Sequence, residues 1–321
     1  MSLYFQDESI TLHHGNALEV ARTLGTGAVD CIVTSPPYYG LRDYGVKGQY
    51  GLEKTPAEYV ENQRILFSEL RRVLADDGTL WLNIGDSYNA YNGNRGKSKT
   101  GFSRNDPMPE LPKGAGLTVK DLPAKNLIGI PWRVAFALQD DGWILRNSII
   151  WHKPNAMPES VTDRLSGRHE NLFMFSKAQR YAFDLDPIRE APAEVSVARA
   201  QRNRFAKDKS QNGVGAPNTF DPASSINESG KNPGDVWSIN TQPFAGAHFA
   251  VFPPELPRRC IAAGCKPGGV VLDPFHGSGT TGKVAQENGR RYVGIDISAD
   301  YLKLSLETRL QNATLDFGGA A

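Results

Sequence analysis

A short segment near the N-terminus combines residue types that can hold an aromatic amine. Thr34-Ser35-Pro36-Pro37-Tyr38 follows a predicted buried strand, and its two prolines prevent the chain from entering a helix. The carbonyl groups at the strand end are then free to accept hydrogen bonds, and Tyr38 offers a flat face for stacking. In-plane acceptors on an aromatic amine would direct its nitrogen lone pair toward an incoming electrophile. A rigid turn after a strand is an equally good interpretation of this segment alone.

A glycine-rich turn late in the chain is the second segment with the means for chemistry. Residues 269–287 (GVVLDPFHGSGTTGKVAQE) predict a strand, a turn and a helix start, and Asp296 ends the next strand about 20 residues beyond Gly277. Such βαβ units bind nucleotides, because glycines admit a ligand and the acid binds ribose hydroxyls. The spacing also resembles a P-loop, but Val284 stands where Ser or Thr must hold magnesium. Asp273 at the strand end suits an ammonium group better than a triphosphate, which favours S-adenosylmethionine.

Two further side chains fall on predicted strands near the same edge. Asp86 ends the segment TLWLNIGD, where it could relay a proton from Ser35 or hold a target amine, or merely cap the following loop. Trp151 could form the wall of a pocket, although an aromatic residue in a strand is more often part of the core. His169 and Glu170 are interpreted as partners of nearby arginines.

Alternating strands and helices must position these segments. Apolar periodicity predicts strands at 10–14, 28–34, 79–86, 143–153, 171–177, 269–273 and 291–297, and helices at 18–24, 56–74, 130–142, 254–264, after Gly279 and at 298–311. This alternation predicts an α/β fold with a mostly parallel sheet covered by helices on both faces. Ligands of such sheets bind at the carboxyl ends of the strands, where the segments above are expected to lie.

Two irregular stretches interrupt the alternation. Residues 87–126 are rich in Gly, Asn, Ser and Lys and predict a long flexible loop, and residues 187–247 are similarly irregular. We therefore expect a discontinuous catalytic domain, formed by 1–186 and 248–321, with a separate region at 187–247.

Composition limits the class of protein. The 321 residues carry a net charge of +1, so binding to nucleic acid would require locally clustered cations. No apolar run approaches the roughly 20 residues of a membrane helix, and no secretory signal precedes the first strand. Three cysteines without a CxxC pair argue against a disulfide scaffold and against a zinc site. We expect a cytoplasmic protein without a bound metal.

The two chemical segments together are similar to a known family. TSPPYYGLRDYG early and DPFHGSGTT late closely resemble the bacterial amino-methylating DNA methyltransferases, and this order resembles their permuted β class. The segments GTLWLNIGDSY, GIPWRVAFALQDDGW, SIIWHKPN and HFAVFPPEL resemble further parts of the family. The resemblance implies a Rossmann-like fold and methyl transfer from S-adenosylmethionine to an exocyclic amine of a flipped base in duplex DNA. It also implies a modification system with a possible cognate restriction endonuclease.

The resemblance assigns roles to individual residues. The expected catalytic residues are Ser35, Pro36, Pro37, Tyr38 and Asp86, and the expected cofactor-binding residues are Asn16, Phe252, Asp273, Phe275, Gly277, Ser278, Gly279, Thr280 and Asp296. Asp273 would bind the methionine ammonium, Asp296 the ribose, and Asn16 the adenine, where members often carry Asp. Members with an acid in place of Ser35 usually methylate adenine N6, so Ser35 favours cytosine N4.

Two basic clusters lie in the irregular stretches. Arg95, Lys97 and Lys99 occupy the first, and Arg199, Arg202 and Arg204 occupy the second; all six are candidate contacts to DNA phosphates. Solvated loops would have the same composition. By resemblance, residues 187–247 are expected to recognise the target sequence.

Four alternative functions remain open from the sequence. The first is adenine N6 methylation, and the second is RNA methylation, for which no dedicated RNA-binding module is visible. A protein that binds nucleoside triphosphates through GSGTTGK is the third. The fourth is a catalytically inactive DNA-binding regulator, against which the intact TSPPY segment argues. Cytosine C5 methylation is disfavoured because no cysteine follows a proline as a nucleophile would.

Overall fold

The computed structural model describes residues 1–89, 119–120, 122–192, 229–242 and 252–310. Its strands are β1 Ser2–Gln6, β2 Ile10–His14, β3 Val29–Thr34, β4 Leu74–Ile84, β5 Ile144–His152, β6 His169–Ser176, β7 Val236–Ser238, β8 Val270–Asp273 and β9 Arg291–Asp296. Its α-helices are α1 Ala17–Ala21, α2 Pro56–Val73, α3 Ile130–Asp140, α4 Glu255–Gly264, α5 Thr280–Glu287 and α6 Ala299–Ser305.

These strands form one sheet in the order β1-β2-β9-β8-β3-β4-β6-β5-β7. The run from β2 to β4 is parallel, and β7 pairs parallel with β5. The remaining pairs, β1 with β2 and β6 with both β4 and β5, are antiparallel. The predicted α/β fold with a mostly parallel sheet is confirmed. Because β8 lies beside β3, the glycine-rich turn and the TSPPY segment emerge next to each other.

Helix α2 illustrates how the sequence forms the layers. Thr55 caps the helix by accepting a hydrogen bond from the Glu58 amide at 3.1 Å, and Pro56 occupies the first turn. Leu66, Phe67 and Leu70 are fully buried in the central hydrophobic cluster. The helical spacing of these residues therefore covers one face of the sheet with α2.

The structure differs from the predicted elements at β1, at β4, at the final helix and at β7, which lies in a stretch predicted to be irregular. β1 was not predicted; it pairs with β2 through mostly exposed residues, which leave little alternation to detect. β4 begins at Leu74, directly after α2, whereas the strand was predicted to begin at residue 79. The final helix is divided, since α6 is followed by a π-helical turn at Leu306–Leu310.

The chain forms two compact units, one comprising Met1–Phe183 with Asp235–Ala321 and the other Asp184–Gly234. The second unit contains a short 3-10 helix at Asp186–Ile188. Because β7 pairs with β5, residues 235–242 belong with the nine-stranded sheet rather than with the separate region expected at 187–247. None of the helices in the described ranges is long and apolar enough to cross a membrane.

The described ends of the predicted loop at 87–126 are joined by backbone hydrogen bonds and by one buried side chain. Asn89 accepts a hydrogen bond from the Val119 amide at 2.8 Å, and its amide group donates to the carbonyl oxygen of Leu122. Asn89 is buried, with 4% of its surface exposed. The ends of this stretch are therefore fixed to the sheet unit.

Candidate active site

A cavity of about 690 Å³ lies at the carboxyl ends of β3 and β8. It brings together residues predicted from opposite ends of the chain: Asn16, Ser35, Pro36, Pro37, Tyr38, Phe252, Asp273, Phe275, Gly277, Ser278, Thr280 and Asp296 all line it. Trp151 contributes to its wall as well. Parallel pairing of adjacent strands explains this convergence, because the loops after such strands leave the sheet at the same edge.

Asp273 ends β8 with both carboxylate oxygens hydrogen bonded. Oδ1 accepts from the Thr34 hydroxyl at 2.7 Å and from the Phe275 amide at 3.0 Å, and Oδ2 accepts from the Thr281 hydroxyl at 2.8 Å. Only 2% of the residue is exposed. Burial raises the pKa of Asp273 to about 6, although these three hydrogen bonds lower it.

Asp296 ends the neighbouring strand β9 and organises the glycine-rich turn. Its Oδ2 accepts from the Gly277 amide at 2.7 Å, and its Oδ1 accepts from the Ser298 amide at 2.8 Å. Gly277 has a φ of +52°, in the left-handed region that favours glycine. Burial raises the pKa of Asp296 to about 6. One carboxylate thus fixes the turn while lining the cavity.

These features fit the amino-acid and ribose groups of S-adenosylmethionine. Neither Asp273 nor Asp296 forms a salt bridge with any residue that the structure describes. A buried carboxylate without a cationic partner is unfavourable, and a ligand ammonium or hydroxyl would compensate it. Phe275, packed edge-on against Tyr50 at 5.4 Å between ring centroids, adds an apolar wall.

His276 stabilises the turn from its buried side. One ring nitrogen is 2.8 Å from the Tyr292 hydroxyl and the other is 2.6 Å from the Ser305 hydroxyl. Burial lowers the pKa of His276 to about 3, so the ring is neutral. Gly279, with a φ of +79°, does not line the cavity. A Cβ atom at this position would lie 2.9 Å from Ser305 Cβ, so alanine would not fit there. Its contribution is to the path of the turn.

Asn16 lines the cavity, but its side chain has local partners. The side-chain oxygen accepts from the Leu18 amide at 3.0 Å and from the Glu19 amide at 3.4 Å, which caps α1. The amide nitrogen donates to the Gly48 carbonyl at 3.3 Å. The oxygen that we expected to contact adenine is therefore engaged in capping, and the adenine contact stays a prediction.

The TSPPY segment forms the opposite side of the cavity. The Tyr38 hydroxyl donates to Glu170 Oε2 at 2.6 Å and lies 3.2 Å from Asn83 Oδ1, and the Ser35 hydroxyl donates to it at 3.5 Å. Burial and the neighbouring Glu170 carboxylate raise the pKa of Tyr38 well above its usual value, which keeps the phenol neutral. Gly85 makes room for the ring, since a Cβ there would lie 2.4 Å from Tyr38 Cε2.

Glu170, Asn83 and Lys153 are cavity residues that the sequence interpretation missed. Lys153 forms a salt bridge with Glu170 Oε1, with exposed side-chain fractions of 19% and 17%, and its Nζ lies 4.3 Å from the centroid of the Trp151 ring. The pairing of Glu170 with a lysine replaces the expected pairing with arginines. Two signals were available. Asn83 interrupts an apolar strand, and Lys153, the first residue after β5, is two residues from Trp151 and so continues the same face of the strand.

Asp86 does not join the other predicted catalytic residues. Its carboxylate accepts from the amides of Ser87 at 2.9 Å, Gly129 at 3.0 Å and Ile130 at 3.0 Å, which places it at the N-terminus of α3. It does not line the cavity. The alternative considered from the sequence was capping of the following loop. The contacts with Gly129 and Ile130 instead support capping of α3, because the carboxylate satisfies amides that begin a helix.

The six candidate DNA contacts lie outside the described residues. This applies to Arg95, Lys97, Lys99, Arg199, Arg202 and Arg204. Their contact with phosphates stays a prediction.

The geometry argues against the P-loop alternative. Lys283, the lysine of GSGTTGK, does not line the cavity and lies 3.8 Å from Glu287 in a surface ion pair. Val284, at the position of the magnesium ligand, is fully buried. The turn therefore presents to the cavity neither the lysine nor the hydroxyl side chain with which a P-loop holds a triphosphate.

Comparison with known proteins identifies the family of this chain. The profile of the DNA methylase family matches residues 29–307. The Type II methyltransferase M.XycI of Xanthomonas campestris pv. cyanopsidis is 48% identical over 305 residues, covering 94% of this chain and 87% of that protein. M.SmaI of Serratia marcescens is 44% identical over 297 residues, covering 92% and 89%.

Solved structures share the fold. The cytosine-N4-specific PvuII DNA methyltransferase superposes with a TM-score of 0.62 at 19% identity, covering 98% of this chain and 89% of that one. A DNA modification methylase of Thermus thermophilus, complexed with S-adenosyl-L-methionine, gives 0.56 at 21% identity, covering 95% and 96%. With the extent of the family match, these findings establish that the chain belongs to the N6/N4 DNA methylase family and is a methyltransferase dependent on S-adenosylmethionine.

Proposed function

We propose that this methyltransferase modifies the exocyclic N4 of cytosine within a specific sequence of duplex DNA. The observation that carries the proposal is Ser35, which lines the cavity at the end of β3 where family members that methylate adenine usually carry an acid. Because the amine of a paired base is inaccessible, the cytosine must leave the helix to enter the cavity.

The residues of the TSPPY segment hold the base in this proposal. The Ser35 hydroxyl oxygen and the Pro36 carbonyl accept the two hydrogens of the amine, while the ring of Tyr38 supports the base. Glu170 and Asn83 fix the Tyr38 hydroxyl, and Lys153 balances the charge of Glu170. A base that cannot tilt keeps its amine in line with the donor.

The cofactor residues occupy the other side of the cavity. Asp273 binds the ammonium of S-adenosylmethionine, Asp296 binds its ribose, and Phe252 and Phe275 contact its apolar parts. S-adenosylmethionine supplies the methyl group as an electrophile, and no covalent bond to the protein is required. Asp86 has no part in this scheme, since its oxygens serve α3.

The relatives suggest the setting of the reaction. M.XycI and M.SmaI are Type II methyltransferases, and we propose that this chain likewise protects DNA from a cognate restriction endonuclease in the cytoplasm. Residues 187–247, less the part that joins the sheet, are the proposed recognition region.

Sequencing of plasmid DNA from cells that express the protein tests the proposal, by a method that separates N4-methylcytosine from N6-methyladenine. We expect N4-methylcytosine within one short sequence, and a lower methylated fraction at that sequence in cells that express Tyr38→Ala. Removal of the stacking face should cost about 1–3 kcal/mol in base binding without changing the affinity for S-adenosylhomocysteine.

Two other outcomes are informative. Detection of N6-methyladenine at one sequence would show that adenine, not cytosine, is the target base. Wild-type methylation by the Tyr38→Ala variant would mean that TSPPY is only a turn.

A further inference from the structure

Thr34 connects the two sides of the cavity. Its side-chain hydroxyl donates to Asp273 Oδ1 at 2.7 Å, on the proposed cofactor side. The residue that follows it, Ser35, lines the proposed base side. Thr34 is 1% exposed, so water does not compete for this hydrogen bond.

This hydrogen bond lies beyond the regular pairing of the two strands. β3 pairs with β8 through Cys31 with Val271 and Ile32 with Leu272. The bond from Thr34 to Asp273 continues the connection to the point where both strands become loops. It is therefore the link nearest to the places where the two ligands would bind.

Thr281 also donates a hydrogen bond to Asp273, but it lies in a different element of the chain from Thr34. Its hydroxyl donates to the other oxygen of Asp273 at 2.8 Å, and the residue is fully buried. Burial raises the pKa of Asp273 to about 6, and both threonine hydroxyls oppose this shift. Thr281, however, belongs to α5 after the glycine-rich turn, whereas Thr34 ends β3 and is the first residue of TSPPY.

We propose that Thr34 is a positioning residue that couples the binding of S-adenosylmethionine to the binding of the target base. A ligand ammonium on Asp273 fixes the carboxylate, and Thr34 is fixed with it through the hydrogen bond. The two prolines at 36 and 37 have restricted φ, so the position of Thr34 is transmitted to Ser35 and Tyr38. Such coupling is reciprocal, and each ligand strengthens the binding of the other. This inference rests on the proposed role of Asp273.

The test measures coupling rather than turnover. The affinity for S-adenosylhomocysteine is determined by calorimetry with and without a duplex that contains the target sequence of the enzyme. The ratio of the two affinities is the coupling factor. We expect a factor of about 5 or more for the wild-type protein. Thr34→Val and Thr281→Val each remove one threonine hydroxyl that donates to Asp273 while keeping the shape of the side chain. Both should weaken the binding of S-adenosylhomocysteine by about 3- to 10-fold.

The two variants should differ in the coupling factor. Thr34→Val should reduce it to about 1–2, whereas Thr281→Val should retain the wild-type value. Equal coupling factors in the two variants, or a wild-type factor of 1, would overturn the proposal. Each hydroxyl lowers the pKa of Asp273, so its removal should raise that pKa. In both variants, S-adenosylhomocysteine binding should therefore begin to weaken at a higher pH than in the wild-type protein.

A conservative variant separates positioning from a loss of folding. Thr34→Ser keeps the hydroxyl and should retain both the affinity for S-adenosylhomocysteine and the coupling factor. This variant tests the proposal even if Thr34→Val does not fold. Loss of coupling in Thr34→Ser at full affinity would count against the hydrogen bond. Asp273→Asn tests the cofactor assignment independently: unchanged S-adenosylhomocysteine affinity would reject the role of Asp273, whatever the coupling factors are.

Discussion

Two acidic side chains at the cavity combine burial with the lack of a cationic partner among the described residues. Burial raises the pKa of Asp273 and that of Asp296 from 3.8 to about 6. A carboxyl group whose pKa rises on folding binds its proton more tightly in the folded state. Its ionisation therefore destabilises the unliganded protein as the pH increases from about 4 to about 6, and the full cost persists above that range.

This linkage predicts the behaviour of Asp273→Asn. A rise from 3.8 to about 6 corresponds to about 3 kcal/mol, at about 1.4 kcal/mol for each pH unit. We expect the difference in unfolding free energy between Asp273→Asn and the wild type to be about 1–3 kcal/mol more favourable to the variant at pH 7.5 than at pH 4. The variant should also lose affinity for S-adenosylhomocysteine. Urea denaturation at both pH values and calorimetry provide the measurements.

The pH dependence of ligand binding should follow the same group. S-adenosylhomocysteine should bind most tightly above pH 6, where the carboxylate is ionised, and more weakly as Asp273 is protonated below that pH. A difference in unfolding free energy between wild type and Asp273→Asn that is independent of pH would contradict this account.

At the scale of elements, the start of α3 depends on an acid distant in sequence. Asp86 accepts hydrogen bonds from Gly129 and Ile130, which are 43 and 44 residues away. Burial raises the pKa of Asp86, and the hydrogen bonds from the backbone oppose that effect. The carboxylate thus connects the end of β4 to α3 across the stretch at 87–126.

Two variants of Asp86 separate a capping role from a catalytic one. Asp86→Ala should lower the free energy of unfolding by about 1–3 kcal/mol, because buried amides lose their acceptor. Asp86→Asn keeps one acceptor oxygen and should retain most of the stability and the single-turnover methylation rate. If Asp86→Asn instead abolishes methylation in a stable protein, Asp86 acts in proton transfer.

At the scale of the whole molecule, the charge is nearly balanced. A net charge of +1 provides no general attraction to DNA, so affinity must come from local clusters. The irregular stretches contain such clusters, whereas several lysines of the described surface are paired with acids. Lys266 pairs with Asp77, and Lys303 pairs with Glu307.

Replacement of Arg199, Arg202 and Arg204 by alanine should weaken binding to every DNA sequence. If each contacts one phosphate, the slope of log affinity against log salt should fall by about 0.9 per arginine. Binding titrations at several salt concentrations measure this slope. Alanine at Lys266, Lys283 and Lys303 removes the same charge elsewhere and should leave the slope unchanged. An altered base preference at a constant slope would indicate that the arginines contact bases.

Local patterns were sufficient to predict both chemical segments and the sheet edge that they share. Apolar runs ending in TSPPY and in DPFHGSGTT specify strands followed by turns, and the alternation with helices requires a largely parallel sheet. In such a sheet the ends of β3 and β8 reach the same edge, so Ser35 and Asp273 meet in one cavity. The cofactor was predictable because most of the residues expected to bind it lie within a single βαβ unit.

Tertiary structure alone decided which polar groups pair across long separations. Tyr38 and Glu170 are 132 residues apart, and their hydrogen bond depends on β6 lying beside β4. The same applies to Asp86, which is at a strand end but turns toward α3. Periodicity identifies the face and the edge that a residue occupies, because both follow from local backbone geometry. The partner of its side chain depends on strand order and packing, which no local pattern encodes.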